Sequence, residues 1–380
     1  METSHYDVIV IGTGPGGATA AFELAKAGVK TLLIEKQKLP RHKTCGGGLT
    51  YKVTKALPFD ISSVVERTIT DFVWTYKMGR PRIVHSPSPL VYMVRRSEFD
   101  NLLTIKAVEA GAQLLDETKV DSITSNDNNV SIATSRGSYT ADFLIGADGA
   151  TGITARAVGL MTDRVLLPAV ENEVEVSSPV AEYWQDKMSL DLGTLRASYG
   201  WVFPKEDHVN VGVGGFGYRS DFAHRLKTYD HEHLNRRVPN QVRVRKSFGY
   251  VLPLRRKDAP IQKGRTLLIG DAAGLVEALT GEGIYYAIRS GQIAAHAIAM
   301  NQYAQYQTLV DDELMPDLLI ARHYAALYRR LPGVCYFSAI YSPRAWRVLC
   351  KILRGEYQIR GIHRRLGLLG VIADLMPSYA

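Results

Sequence analysis

Residues Tyr6 to Gly17 read Tyr-Asp-Val-Ile-Val-Ile-Gly-Thr-Gly-Pro-Gly-Gly, and this stretch decides the fold. Tyr6 to Ile11 is short, apolar and ends in glycine, which predicts a buried strand. Gly12, Gly14 and Gly17 then fall at the GxGxxG spacing, with Gly16 in the same turn. Gly12 permits a tight turn, Gly14 lets the backbone approach a pyrophosphate, and Gly17 lets helix and strand pack closely. A helix is expected from Ala18 to Ala27, closed by Gly28, and a second buried strand from Thr31 to Ile34. Glu35 ends that strand, where an acid accepts hydrogen bonds from an adenosine ribose. The start of the helix offers unpaired N–H groups and a positive dipole end to phosphates. A glycine pattern alone is weak evidence; strand, helix, strand and acid together predict a dinucleotide site. Which dinucleotide binds is left open at this point.

Further along, Arg41 to Leu49 is a basic, glycine-rich loop. A helix is expected from Phe99 to Ala110, closed by Gly111, and a hairpin from Val130–Thr134 and Tyr139–Ile145 across Arg136-Gly137. Leu144 to Gly149 reads as a strand ending in Asp148-Gly149. Leu267 to Gly274 reads as another ending in Gly270-Asp271, followed by Gly281, Glu282, Gly283 and an alanine-rich helix from Tyr285 to Met300. An aspartate just past a strand end is placed to bind a ribityl or ribose hydroxyl. A helix opening at Gly283-Ile284 directs its positive end at whatever binds there. Residues from about 166 to 250 alternate apolar and polar and are read as an antiparallel sheet.

These motifs, in this order, resemble the FAD-dependent hydroxylase-like superfamily over residues 5 to about 300. Arg96-Ser97-Glu98-Phe99-Asp100 resembles its Arg-x-x-Phe-Asp segment, which implies that Arg96 reaches the cofactor. The same resemblance implies that the backbone at Val120 lies over the adenine. One departure is visible: where the superfamily usually shows serine after the Asp-Gly pair, this chain has Gly152. Lys43-Thr44-Cys45-Gly46-Gly47-Gly48-Leu49 resembles the Cys-Gly-Gly-Gly loop of the geranylgeranyl reductase family. Tyr199-Gly200-Trp201-Val202-Phe203-Pro204 matches that family's Tyr-x-Trp-x-Phe-Pro motif. The resemblance implies non-covalent FAD and reduction of C=C bonds in a prenyl chain, carried by a lipid, diphosphate, chlorophyll or quinone.

The fold class that follows is α/β: a Rossmann-like, doubly wound FAD-binding domain with an inserted antiparallel-sheet substrate domain and a helical C-terminal region. The expected division is 1–50, 90–165 and 245–300 for FAD, 51–89 and 166–244 for substrate, and 301–380 for a basic helical region. Cofactor contacts are expected from Gly12, Gly14, Gly16, Gly17, Glu35, Cys45, Gly46, Gly48, Arg96, Val120, Asp148, Gly149, Asp271, Gly281, Gly283 and Ile284. Tyr199, Trp201 and Phe203 alternate along a strand and so face one side, an aromatic wall suited to a long apolar chain. Isolated alkenes are poor hydride acceptors, so protonation is expected to lead or accompany hydride delivery, with ring faces supporting developing positive charge. Cys45, Tyr199 and Trp201 are the catalytic candidates, with Arg41 and Lys43 placed to lower the Cys45 pKa. No metal is expected.

Gly212-Val213-Gly214-Gly215-Phe216-Gly217 also fits GxGxxG, but no apolar second strand with a terminal acid follows. It is read as a substrate-domain strand ending in a flexible turn, so the electron donor, NAD(P)H or reduced ferredoxin, must dock transiently.

Three widely spaced cysteines argue for a reducing compartment, and the polar start of the chain lacks the pattern of a secretory leader. The expected location is the cytoplasm, with peripheral membrane contact. From Leu318 to Ala373 the chain has ten Lys or Arg and one acid, Glu356, interleaved with aromatic and aliphatic residues. Such a tail suits an anionic membrane surface or an anionic ligand; no nucleic-acid motif accompanies it. Two other functions stay open: a flavin monooxygenase or halogenase on the same scaffold, and a carrier holding FAD structurally. Halogenases carry a related Trp-x-Trp-x-Ile-Pro motif, from which Tyr199 and Phe203 depart.

Overall fold

The computed structural model describes residues 4–126, 129–161, 163–215, 222–238 and 243–363. Its first sheet has eight strands. Ser4–Ile11 lies at the centre, parallel to Thr31–Ile34 on one side and to Gly137–Gly146 on the other. Thr266–Leu268 extends the parallel set beyond Gly137–Gly146, and Gln113–Leu115 extends it beyond Thr31–Ile34. The hairpin expected from 130 to 145 forms, with Val130 opposite Ala141 and Thr134 opposite Gly137. Central strands buried on both faces need apolar side chains, which is why Val8–Ile11 and Leu32–Ile34 are unbroken apolar runs.

Three helices pack together beside this sheet: Pro15–Lys26, Arg96–Glu109 and Ile284–Ala299. Gly17 has no room for a side chain, because a Cβ there would lie 1.9 Å from Gly12 O and 2.9 Å from Ala147 Cβ. Gly16 and Gly291 form the crossing point of the first and third helices: a Cβ on Gly291 would meet Gly16 O at 2.5 Å, and one on Gly16 would meet Ala287 O at 2.8 Å.

The second sheet has seven strands, in the spatial order Arg243–Arg255, Arg164–Glu175, Val209–Gly215, Ser198–Pro204, Lys187–Leu192, Asp71–Tyr76, Arg82–His85. It is antiparallel save one pair: Lys187–Leu192 runs parallel to Asp71–Tyr76, because that neighbour arrives from a distant part of the chain. The sheet expected to about residue 250 runs on to Arg255 in the edge strand Arg243–Arg255. A small third sheet joins Gly48–Thr50, Val91–Val94 and Val65–Ile69.

The polar stretch after the second glycine run forms a helix, Phe222–Arg237. Leu226, Tyr229, His233 and Leu234 lie on one side of this helix and are buried, so one stripe docks an otherwise polar helix. The flexible turn expected before it lies outside the described residues. Past residue 300, the described chain is helical: Tyr306–Glu313, Met315–Arg330, Pro332–Tyr341, Pro343–Leu353 and Ile359–His363. Among the described residues no helix is long and apolar enough to cross a membrane.

The helix crossing makes a direct prediction. Gly291→Ala should lower stability by about 1–3 kcal/mol, because the added methyl overpacks against a backbone carbonyl that cannot yield. Gly361→Ala, where a Cβ meets nothing within 4 Å, should change it by less than about 0.5 kcal/mol. Urea unfolding midpoints compare the two; equal shifts would mean that the crossing is not tight.

Candidate active site

The strand order brings four separated motifs to one edge. Gly12, Glu35, Asp148 and Asp271 each follow the carboxyl end of a parallel strand, and those strands are neighbours in the order Thr266–Leu268, Gly137–Gly146, Ser4–Ile11, Thr31–Ile34. Ligands of open α/β sheets bind along this edge.

At one end of the edge Glu35 is buried and accepts from Thr13 Oγ1 at 2.8 Å and from Arg41 Nε at 2.8 Å. Burial pushes its carboxyl up, but the Arg41 guanidinium and the Thr13 hydroxyl outweigh that and hold it below the usual range. Arg41 also reaches Asp100 at 3.2 Å, and Asp100 takes both arms of Arg96 at 2.8 and 2.9 Å. Val120 is buried in a cluster with Ile11 and Ile34, beside the strand that ends at Glu35.

In the middle, helix Pro15–Lys26 opens at Gly14 without a side-chain cap. A Cβ on Gly14 would meet nothing nearer than Arg41 Nη2 at 3.9 Å, so this backbone is open to a ligand. Asp148 turns inward and accepts from Thr154 N at 2.8 Å and Thr154 Oγ1 at 2.9 Å, leaving its Oδ1 buried without a partner among the described residues. Burial raises its pKa. The departure at position 152 has a steric reason here: a Cβ on Gly152 would lie 2.1–2.4 Å from the Asp148 carboxyl group. Gly149 follows at φ +79°, in the left-handed turn that glycine favours.

At the far end Asp271 accepts from Tyr250 Oη at 2.9 Å, and Lys43 Nζ sits 3.3 Å from the centre of the Tyr250 ring. Burial lowers the Lys43 pKa, and Arg96 nearby adds to the effect. Gly281 turns at φ +73°, Gly283 caps helix Ile284–Ala299, and Ile284 begins it.

Across this edge lies the aromatic strand Ser198–Pro204. Tyr199, Trp201 and Phe203 form one row, with ring centroids 5.9 and 6.0 Å apart. Tyr199 Oη donates to Thr280 O in the turn before Gly281. Phe203 lies against the glycine loop, where a Cβ on Gly46 or Gly48 would meet its ring at 2.8 or 3.2 Å. The row therefore spans from the Gly281 turn to the Cys45 loop. Burial, with Glu277 adjacent, holds the Tyr199 hydroxyl well above its ordinary pKa.

The second glycine run has a steric purpose. Gly212 pairs with Trp201 and Gly214 with Tyr199 in the neighbouring strand. A Cβ on Gly212 would strike the Trp201 ring at 2.3 Å, and one on Gly214 would come within 3.6 Å of it. These glycines form the bed on which the indole lies, and Trp201 Nε1 donates to Asn210 Oδ1 at 2.8 Å.

Three groups that sequence reasoning missed hold the Cys45 loop. Glu171 accepts from Cys45 N at 2.8 Å and is hydrogen-bonded to Asn210, linking the loop to Trp201. Lys205, immediately after the aromatic motif, donates to Gly46 O at 2.8 Å and Val94 O at 2.9 Å. Burial lowers the Lys205 pKa to about 8. The guanidinium that hydrogen-bonds the Cys45 thiol is that of Arg96, not Arg41, because Arg41 is drawn to Glu35 and Asp100. A polar cavity of about 140 Å³ opens behind the loop, lined by Lys43, Cys45, Arg96, Lys205, His208 and Arg245 among others. No sequence spacing pointed to Glu171, Asn210 or Lys205, since each acts through the pairing of distant strands.

These residues fit FAD. An open glycine backbone at a helix start suits a pyrophosphate, Lys43 supplies positive charge between Arg96 and Asp271, and Asp148 keeps a buried oxygen without a partner among the described residues.

A model of the FAD binding domain matches residues 5–304. A chloroplastic geranylgeranyl diphosphate reductase of Nicotiana tabacum is 32% identical over 77% of this chain, which covers 65% of that protein. A digeranylgeranylglycerophospholipid reductase of Thermoplasma volcanium is 30% identical over 82% of this chain and 84% of that protein. Among solved structures, a geranylgeranyl bacteriochlorophyll reductase-like protein of Thermoplasma acidophilum superposes with TM-score 0.74 at 24% identity, covering 100% of this chain and 97% of that one. The flavin-dependent brominase Bmp2 superposes with TM-score 0.75 at 21% identity, covering 95% and 98%. At these identities the two structures speak for the fold.

Lys205 carries a pH prediction. Its folded pKa of about 8 lies below the unfolded value. As pH rises through 8 the folded state releases its proton while the unfolded state keeps it, so Lys205 makes the protein more stable with rising pH up to the unfolded pKa. Lys205→Met leaves the Gly46 and Val94 carbonyls unpaired and should cost about 2 kcal/mol at pH 7. Urea midpoints at pH 7, 8 and 10 should show the gap between wild type and variant widening; a constant gap would place the ammonium in water.

Proposed function

The chain belongs to the geranylgeranyl reductase family of FAD-binding oxidoreductases, and from that premise we propose that it reduces C=C double bonds of a geranylgeranyl or other prenyl chain. The observation that carries this reading is the aromatic row. Tyr199, Trp201 and Phe203 present one apolar face between the Gly281 turn and the Cys45 loop, and an extended hydrocarbon needs such a rigid, dry wall. FAD, when bound and reduced, supplies the hydride for the double bond.

The remaining work falls to this chain's own residues. In the proposed site Trp201 offers its ring face to the positive charge that builds on the alkene as a proton arrives, and its seat on Gly212 and Gly214 keeps that face fixed. Glu171 and Lys205 act as positioning residues: one holds the Cys45 amide and the other the Gly46 carbonyl, so the thiol keeps its place between Arg96 and the aromatic strand. The buried Tyr199 hydroxyl keeps its proton across the physiological range and is tied to Thr280 O, which anchors the turn before Gly281. The electron donor, NAD(P)H or a reduced ferredoxin-like protein, docks transiently in this reading, since the second glycine run is occupied in seating Trp201.

An anaerobic experiment tests the activity. The yellow protein is reduced with dithionite and given geranylgeranyl diphosphate or a geranylgeranylated lipid, while flavin reoxidation and product mass are followed. Reoxidation with two added hydrogens per bond is expected. A flavin that stays reduced until oxygen enters, with oxygenated product, would favour the monooxygenase or halogenase reading that the shared fold permits. Cys45→Ala should retain FAD and lose about 100-fold or more in turnover; unchanged turnover at full FAD content would remove Cys45 from the catalytic set.

A further inference from the structure

One face of the described C-terminal helices has no part in the site above. Leu331, Val334, Phe337 and Tyr341 are 47%, 45%, 51% and 64% exposed. Leu331 sits at the corner after helix Met315–Arg330; the other three recur three and four residues apart along Pro332–Tyr341, on one side of that helix. Phe337 and Tyr341 stack at 6.0 Å. Large apolar side chains clustered in this way mark a contact surface rather than scattered exposure.

Two further observations say what the contact is. From Leu318 to Gly355 the chain has seven Lys or Arg and no Asp or Glu. Of these, Arg330, Arg344 and Arg347 are exposed on the elements that carry or adjoin the apolar face. Against the apolar face lies an open hollow of about 570 Å³, lined by Tyr76, Arg330, Leu331, Val334 and Phe337 among others. The floor of the hollow is continuous with the site: Tyr76 packs on Tyr336 at 5.4 Å and belongs to the same apolar cluster as Leu192, Tyr328, Tyr199 and Phe203.

We propose that this face docks on an anionic lipid bilayer, with Leu331, Val334, Phe337 and Tyr341 inserted at the interface and Arg330, Arg344 and Arg347 among the headgroups. The hollow at Tyr76 is then the mouth through which a prenyl chain passes from the bilayer along the apolar cluster to Tyr199. The second statement rests on the prenyl-reductase reading; the first does not. Apolar insertion and basic rim act together, since neither a few aromatic rings nor a few arginines suffice alone.

The test uses the full FAD-loaded protein and vesicles of phosphatidylcholine with phosphatidylglycerol. Wild type should float with the vesicles at low salt and less at high salt. Phe337→Ser/Tyr341→Ser and, separately, Arg344→Glu/Arg347→Glu should weaken flotation about tenfold or more while keeping bound FAD. The Arg344→Glu/Arg347→Glu variant, whose residues lie outside the lining of the hollow, should keep wild-type turnover on dispersed geranylgeranyl diphosphate and lose it on a geranylgeranylated lipid embedded in the vesicles. Failure of the wild type to float, or equal flotation of the variants, overturns the docking proposal. So does a concentration-dependent dimer, abolished by Phe337→Ser/Tyr341→Ser, in a protein that does not float. Flotation as expected with no turnover on either substrate would support docking and sink the prenyl reading.

Discussion

Everything in this molecule is referred to one steric constraint: the absence of side chains where the glycine turn meets its neighbours. Gly17 leaves no space against Gly12 O and Ala147, and Gly16 and Gly291 bring two helices to backbone contact. Packed interiors transmit such constraints without slack. Because the first helix is pressed onto the strand ends, its open start at Gly14 lies on the same edge as Asp148 and Asp271. A larger residue at any of these points would lift the helix and separate the motifs that the sheet aligns.

On that edge charge is arranged in alternation. Glu35, Arg41, Asp100 and Arg96 form a chain of buried ion pairs that ends at the Cys45 thiol. Such pairs contribute little net stability, because desolvation offsets much of their attraction. Their consequence is geometric: each group is held by its neighbours, and Arg41 is kept from the thiol that Arg96 contacts. The Cys45 loop is similarly held from behind by Glu171 and Lys205, so a run of glycines with high intrinsic freedom is fixed by two side chains from the second sheet.

The second sheet supplies the other wall. Its glycines at 212 and 214 share a spacing with the dinucleotide motif but have the opposite logic. In the first motif glycine admits backbone; in the second it admits an indole ring. Gly212 is opposite Trp201 in one strand pairing and opposite Glu171 in the next, so the strand Val209–Gly215 ties the wall to the residue that holds the Cys45 loop.

Local chemistry alone determined the β-α-β start, the hairpin, the helix after Gly283 and the row of three aromatics, because each rests on a period or a turn within a few residues. The family was legible for the same reason, in short motifs that survive intact in the chain. The sequence could not show that the second sheet's edge strand runs on to Arg255, that one of its strand pairs is parallel, or that a polar stretch after 221 is a helix docked by four buried side chains. Nor could it show which arginine meets Cys45, or that Glu171, Asn210 and Lys205 hold the loop. Those outcomes depend on contacts between residues tens to more than a hundred positions apart, where many partners of the right type compete and only the register of packed strands selects one.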